Sequence, residues 1–286
     1  MRSCLNRPQL RLLLLIVPWI LDCGSSSASP TSGTSGGSTG TSSGGGELPY
    51  SGAVVLYGGT GTPFNIVANF TTTPTSSSLA QRTLDPCSGA TLVGSCCYRG
   101  LGGKGTGTGG GPFPTVESAG TLIVEDGSSQ LVTLPFSGGY ATLFTGISWN
   151  AGDTISVSAS GATVDAFNGS VQVPGAMAGL TPVFSTTSPP SVSLLSNLEI
   201  SWTPDSAAGE WVSINLDDGN NGYIYCSTPD VSGNVGVSSS SLSHYASGDT
   251  ADIGIARLAS ATPADANTSV TLIAELPGGF GHLVLQ

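Results

Sequence analysis

Thr154-Ile155-Ser156-Val157-Ser158-Ala159 decides the fold class. Ile155, Val157 and Ala159 point one way along an extended chain, and Thr154, Ser156 and Ser158 point the other. A period of two with one polar face is what an antiparallel strand over a core requires. Val171 and Val173 repeat the pattern downstream, as do Leu122 and Val124 upstream. Strand-like stretches recur about every ten residues, separated by Gly, Pro, Asn and Asp, and helical periodicity is almost absent. The expectation is an all-β chain made of two tandem antiparallel β-sandwich domains.

The boundary between them is expected in 185–191, Ser-Thr-Thr-Ser-Pro-Pro-Ser, where Pro189-Pro190 interrupts both helix and sheet. That division gives a first sandwich over 48–184 and a second over 191–286, each large enough for a core. In the second, Leu198, Ile200 and Trp202 of Leu-Glu-Ile-Ser-Trp-Thr-Pro share a face. Trp211–Leu216 and Gly222–Cys226 flank Asp217-Asp218-Gly219-Asn220-Asn221-Gly222, whose Asp-Gly and Asn-Gly steps signal a hairpin. Val212, Ile214, Leu216, Ile224 and Cys226 then face inward together. A buried Trp on an early strand and roughly seven strands in this region resemble an immunoglobulin or fibronectin type III sandwich. The first body contains a glycine-rich loop, 100–114, read as mobile.

Upstream of both bodies lies a different kind of sequence. Arg2, Arg7 and Arg11 precede the apolar run Leu12–Leu21. Ten helical residues rise about 15 Å, half of a bilayer core, so 1–22 reads as a secretory signal peptide and not as a membrane span. Ile20-Leu21-Asp22-Cys23-Gly24 then resembles a bacterial lipobox, although Asp22 stands where that motif has a small residue. The resemblance implies lipidation at Cys23 and cleavage before it; cleavage after Ala28-Ser29, giving a freely secreted chain, is the alternative. Residues 24–46 hold only Gly, Ser, Thr, one Ala and one Pro, so 23–47 reads as a lipidated cysteine followed by a disordered linker. A coil of this composition spans on the order of 25–30 Å. Several acyl chains would anchor it stably, where one would be marginal.

The whole layout resembles the surface lipoproteins of myxobacteria. The stretches that carry this are Gly-Asp-Thr-Ile-Ser-Val-Ser-Ala-Ser-Gly from 152, Leu-Glu-Ile-Ser-Trp-Thr-Pro from 198 and Tyr-Ile-Tyr-Cys-Ser-Thr-Pro-Asp from 223. That family carries no assigned activity, so the resemblance implies fold and address only: the cell envelope, lipid-anchored to the outer membrane or the cell surface.

Charge and cysteine count narrow the functional classes. The chain carries 18 acidic and seven basic residues, for −11. With so few cations and no basic cluster, a nucleic-acid partner is excluded. Apart from Cys4 and Cys23, four cysteines remain, Cys87, Cys96, Cys97 and Cys226, an even number suited to disulfides in an oxidising compartment. A bond between adjacent Cys96 and Cys97 would be strained, so each is expected to pair with Cys87 or Cys226. Their spacing does not fit zinc.

Motifs for chemistry fail one after another. Gly105-x-Gly107-x-x-Gly110 and Gly100-x-Gly102-x-x-Gly105 match a dinucleotide fingerprint but lack a βαβ setting, and glycine follows Lys104, so no nucleotide partner is expected. Gly33-Thr-Ser35-Gly-Gly37 and Gly40-Thr-Ser42-Ser-Gly44 fit a nucleophile elbow but lie in the linker. His244 and His282 are the two histidines, and no acid or serine near either forms a recognisable catalytic arrangement. No catalytic residue and no cofactor are therefore expected. Asp217, Asp218 and Asn220 offer oxygens to calcium, yet the twelfth position is Thr228 in place of Glu, and a hairpin turn explains them without metal. Trp211, Tyr223 and Tyr225 should point outward on one hairpin, where flat rings stack on sugars or dock a protein. Arg257 shares parity with Ile253 and Ile255, which points to a structural ion pair. The reading is a membrane-anchored, non-enzymatic binding, adhesion or envelope-structural module with a glycan or protein partner. The alternative is an exported hydrolase or a carbohydrate-binding accessory.

Overall fold

A computed structural model describes residues 50–59, 62–71, 87, 90, 92–100, 115–144, 148–263 and 269–286. The leader, Cys23, the linker 23–47, Lys104 and the glycine-rich stretch from 101 lie outside the described residues. Leu48–Gln286 forms one compact unit.

The unit is almost entirely strand, as the alternation requires. One large sheet runs in the order β3 (Leu92–Val93), β4 (Cys96–Gly100), β14 (Gly222–Pro229), β13 (Trp211–Asp217), β16 (Thr250–Ala261), β17 (Ser269–Leu285), β1 (Ser51–Gly59), β2 (Thr62–Thr71) and β7 (Tyr140–Phe144). The short β11 (Ser191–Val192) adds to β17 beyond the reach of β1. Two small sheets complete the unit. One is β6 (Ser129–Leu134), β5 (Leu122–Asp126), β8 (Thr154–Ala159) and β9 (Phe167–Gln172); the other is β10 (Ala178–Thr181), β12 (Leu198–Thr203) and β15 (Asn234–Val237). A 3-10 turn, Asp230–Ser232, and one helix, α1 (Ser239–Leu242), are the described helical elements.

Parity along β16 and β17 explains how two small sheets share one large one. Ile253, Ile255 and Ala251, with Leu283 and Leu285 of β17, pack with Ile200 and Trp202 of β12 and with Val235 and Val237 of β15. Further along the same face, Val270, Leu272 and Leu276 join Val54, Leu56, Ile66 and Phe70 against Leu122, Val124, Ile155, Val157 and Val171. A β-bulge between Ile255 and Ala256 marks the change from one core to the other. Bulges bend a strand and raise its twist, which lets one strand serve two packing layers.

Sandwich packing and the all-β class therefore hold, but the expected division does not describe the pairing. β1, from the first body, lies parallel to β17, with Ser51 opposite Ser269 and Tyr57 opposite Glu275. β4, also from the first body, pairs with β14. The Pro189-Pro190 segment is not a free linker either. Val284 N donates to Pro190 O at 3.0 Å, and Ser191 and Val192 continue alongside Val284 and Leu285. Pro lacks a donor, but its carbonyl accepts, and a parallel edge uses it. The second body is accordingly not a self-contained immunoglobulin-type sandwich, since its layers include β3, β4 and β10. Two parallel pairs, at β1–β17 and β11–β17, also depart from the antiparallel expectation.

Candidate functional site

The face of the large sheet turned away from both small sheets carries the functional side chains. Cross-strand register places Arg99, Tyr223, Asp217, Asp252 and His282 in one row across five strands, β4 to β17. The adjacent row is Cys97, Tyr225, Asn215, Gly254 and Phe280. Directly opposed residues in a ladder sit on one face with Cβ atoms about 5 Å apart, so each row is a line of neighbours.

The strongest contact in the row is between Asp252 Oδ1 and His282 Nδ1, at 2.5 Å. Both side chains are partly open to solvent, 22% and 30% exposed. Phe280 meets the imidazole edge-on, with ring centroids 6.0 Å apart. With Nδ1 committed to the carboxylate, Nε2 is the nitrogen left for a ligand. Sequence reasoning missed this pair because 30 residues separate its members; only the β16–β17 register, interrupted by the bulge, brings them opposite. Gly254 lies one ladder step along from Asp252. It is buried, yet a Cβ built on it meets no described atom within 4 Å.

Trp211, Tyr223 and Tyr225 do share the outward face, through the register Trp211–Pro229, Asn215–Tyr225 and Asp217–Tyr223. They do not form one platform. Tyr225 is buried with Cys87 and Cys97, and Tyr223 stacks beside it at 6.0 Å. Trp211 stands at the far end of β13, 39% exposed. The side chains are spread along the strands, and a disulfide covers one of them.

That disulfide joins Cys87 to Cys97, and a second joins Cys96 to Cys226. Adjacent residues on a strand face opposite sides. Cys96 therefore enters the core, directly opposite Cys226, while Cys97 meets Cys87 on the outer face.

The acidic hairpin is built as a turn. Asp217 Oδ1 accepts from Gly219 N at 2.7 Å. Asp218 Oδ1 accepts from Asn220 N and Asn221 N at 3.0 and 2.8 Å, and its other oxygen accepts from the Asn221 side chain. Burial alone would raise the Asp218 pKa, but these bonds and one from the Gly222 amide hold it below the usual carboxylate range. Tyr98 Oη donates to Asn221 O at 2.5 Å, and Tyr245 Oη donates to Leu216 O at 2.9 Å. The oxygens that calcium would take are thus used by the turn's own amides. Among the described residues, no three His, Cys, Asp or Glu side chains gather as metal ligands would. His244 stacks on Tyr98 at 3.7 Å.

Arg257 is structural, as its parity implied. It is 1% exposed, and its Nε lies 2.9 Å from Asp230 Oδ1 and 3.6 Å from Glu210 Oε2. Its other nitrogens donate to the carbonyls of Gly175, Ala176 and Thr203 at 2.9–3.2 Å. Burial, then the neighbouring Asp205, raises the Glu210 pKa. Glu275 is buried as well, on the outward face beside Tyr57 and Leu258. Burial pushes its pKa up to about 8, and burial with the nearby Glu275 raises that of Tyr57.

No protein-family model matches the chain, and no curated protein does. Among solved structures, one is described as structural insight into host cell surface retention of a 1.5-MDa bacterial ice-binding adhesin; it is similar at a TM-score of 0.20 and 10% identity. The match covers 82% of this chain and 66% of that one, so the chain spans just under two thirds of its length. At that level of similarity, function has to be argued from this chain's own residues.

Proposed function

We propose that this chain is an exported lipoprotein, tethered through Cys23, whose β-body acts as a non-enzymatic binding module of the cell envelope or surface. The observation that carries the reading is the use of cysteine. All four cysteines of the folded unit are bridged, as suits an oxidising compartment. Cys23 is then the cysteine that follows the apolar run and opens a linker with nothing to bury. The linker makes sense for a body held at a distance from a membrane.

A histidine oriented by a carboxylate resembles two thirds of a catalytic triad. The hydrogen bonds of His282 among the described residues run to Asp252 and to backbone. An exported hydrolase remains the rival reading, and this pair is where it would act.

The test is the intact mass of protein purified from membranes, with and without reduction and alkylation. A chain beginning at Cys23 with acyl mass, and four cysteines that alkylate only after reduction, is the expected result. An unlipidated chain beginning near Pro30 would overturn the tether. Polysaccharide and ester hydrolysis that disappears in His282→Ala would overturn the non-enzymatic reading.

A further inference from the structure

The four-stranded sheet ends on an open strand, and its chemistry goes beyond the tether and the Asp252–His282 pair. We infer that β6 is a self-association edge, pairing antiparallel with β6 of a second copy of this chain in register about Thr133.

The edges of the two small sheets are not alike. β9 lies against β16 and β17, β10 against β17, and β15 against β14. β6 closes its sheet with β5 as its one hydrogen-bonded neighbour. Among the described residues, its further hydrogen bond is internal, from Gln130 Nε2 to Thr133 Oγ1 at 3.0 Å. Ser129, Gln130 and Thr133 are exposed, so that side of the sheet reaches solvent. An antiparallel edge strand turns alternate N–H and C=O groups outward, ready to pair.

The strand also lacks the usual protection. Ser129-Gln130-Leu131-Val132-Thr133-Leu134 holds no lysine, no other charge and no proline. Val132 faces Val124 and Gln130 faces Glu125, which leaves Leu131 as a bulge. That bulge and Pro135 bound the regular open run at Val132–Leu134. A short run gives a weak and reversible contact, below about 1,200 Å².

Symmetry and charge select a second copy as the occupant. Centred on Thr133, antiparallel self-pairing sets Val132 opposite Leu134 of the second copy, and Leu134 opposite its Val132. Both side chains already enter the core of the first lobe, so the joint continues that apolar layer. Thr133 meets its own counterpart on the exposed face, a cross-strand pair that sheets favour. Elsewhere, two chains of net charge −11 repel each other. β6 is uncharged, and the sheet's nearby acids, Glu125 and Asp126, lie on β5 opposite Gln130 and Ser129, outside the paired run. A two-fold contact of this kind occupies both edges and closes at a dimer. Copies tethered to one surface would meet at high effective concentration, where a weak contact suffices.

The experiment is sedimentation velocity on the full chain carrying Cys23→Ser, which removes the lipid site, from micromolar to millimolar concentration. A reversible monomer–dimer equilibrium is expected, with amide protection at 132–134 rising as dimer forms. Thr133→Lys sets two ammonium groups opposite each other and should weaken the dimer on the order of tenfold or more. Asn168→Lys adds the same charge at an exposed position of β9 and should leave the dimer unchanged. Thr133→Cys should oxidise to a disulfide-linked dimer, and it serves as a second variant that does not depend on the lysine variant folding. A chain that stays monomeric throughout would overturn the inference. So would a dimer that persists in Thr133→Lys, fails to cross-link through Thr133→Cys, or protects another strand. An unrelated alternating Thr-Val peptide that protects 132–134 while the chain stays monomeric would give the edge to another protein's strand, and would overturn it too. All of this is read without the lipid, so failure of the edge and failure of the tether are separately visible.

Discussion

The lobe around β5, β8 and β9 and the lobe around β12 and β15 pack on the same face of one sheet, yet they are held by different means. The first relies on apolar contact, with Phe64 against Trp149 and Phe70 against Tyr140 and Phe167. Two of its buried polar groups are paired with backbone: Trp149 Nε1 donates to Gly58 O, and Tyr140 Oη donates to Gly120 O. The second is covalently stitched through Cys96–Cys226 and carries a buried guanidinium at its edge. Position on the sheet accounts for the difference. The second lobe takes in β3 and β4, joined to β14 from far along the chain, and it abuts the β16–β17 bulge at Ile255–Ala256. Long-range strand addition and an irregular corner both leave backbone groups to be secured, and a bridge and an arginine secure them.

The comparison breaks first at the bridge. Cys96 and Cys226 are separated by 130 residues, a loop for which the chain-entropy model gives about 4–5 kcal/mol. Cys96→Ala with Cys226→Ala should lower unfolding free energy by about that much in urea titrations. Amide protection should fall first in β4 and β14 and last in β5 and β8. Equal loss in both lobes would show that the shared β16–β17 pair makes them one cooperative unit. Arg257→Ala comes next, at about 3–5 kcal/mol, because it leaves Asp230 buried without its partner. Arg257→Met with Asp230→Leu should recover only part of that loss, since the apolar pair removes the unpaired charge but leaves the carbonyls of Gly175, Ala176 and Thr203 without their donor.

How much of this was legible follows the same line. Alternation is local, so Ile155, Val157, Leu198, Ile200 and Trp202 announce strands and their inward faces. The hairpin at Asp217–Gly222 and the buried role of Arg257 are local as well. Register between distant strands is not local. Nothing near Tyr57 says it will lie beside Glu275, and nothing near Cys96 says it will face Cys226 in place of Cys87. Pro189-Pro190 gave a true signal of irregular backbone, but that signal does not separate a linker from a segment docked by its carbonyls. The Asp252–His282 pair exists only through the β16–β17 register, so the part of the molecule nearest to function was the least readable.

Two acids extend the comparison to pH, with opposite signs. Glu275 has its folded pKa raised to about 8, so the fold holds its proton more tightly than the unfolded chain does. Its contribution is present in full below the unfolded carboxyl pKa, and it is lost as pH rises from there toward 8. Glu275→Gln should remove that alkaline loss, on the order of a few kcal/mol between pH 4 and 9. A smaller slope of the same sign should remain from Glu210, whose pKa is also raised. Urea midpoints across that range check it, and a variant that tracks the wild type throughout would mean that Glu275 is ionised in the fold.

Asp218 runs the other way, and its effect is the smallest. Its folded pKa is lowered by turn amides that only the ionised carboxylate satisfies fully. Its stabilisation is therefore present above the unfolded pKa and lost as pH falls through the folded one. Asp218→Ala should cost about 1–2 kcal/mol at neutral pH and converge with the wild type in acid, where the carboxylate is protonated anyway. The site makes this a local test. Asn220, Asn221 and Gly222 belong to the hairpin whose strands carry Tyr223 and Asp217 into the row that ends at His282. If the turn only closes the hairpin, amide protection should fall at 219–223 while the Asp252–His282 contact persists, visible as unchanged amide resonances at both residues. Shifted amide resonances at Asp252 and His282 in Asp218→Ala would mean instead that turn and row are one structural unit, and that the polar face of the second lobe is organised from its hairpin inward.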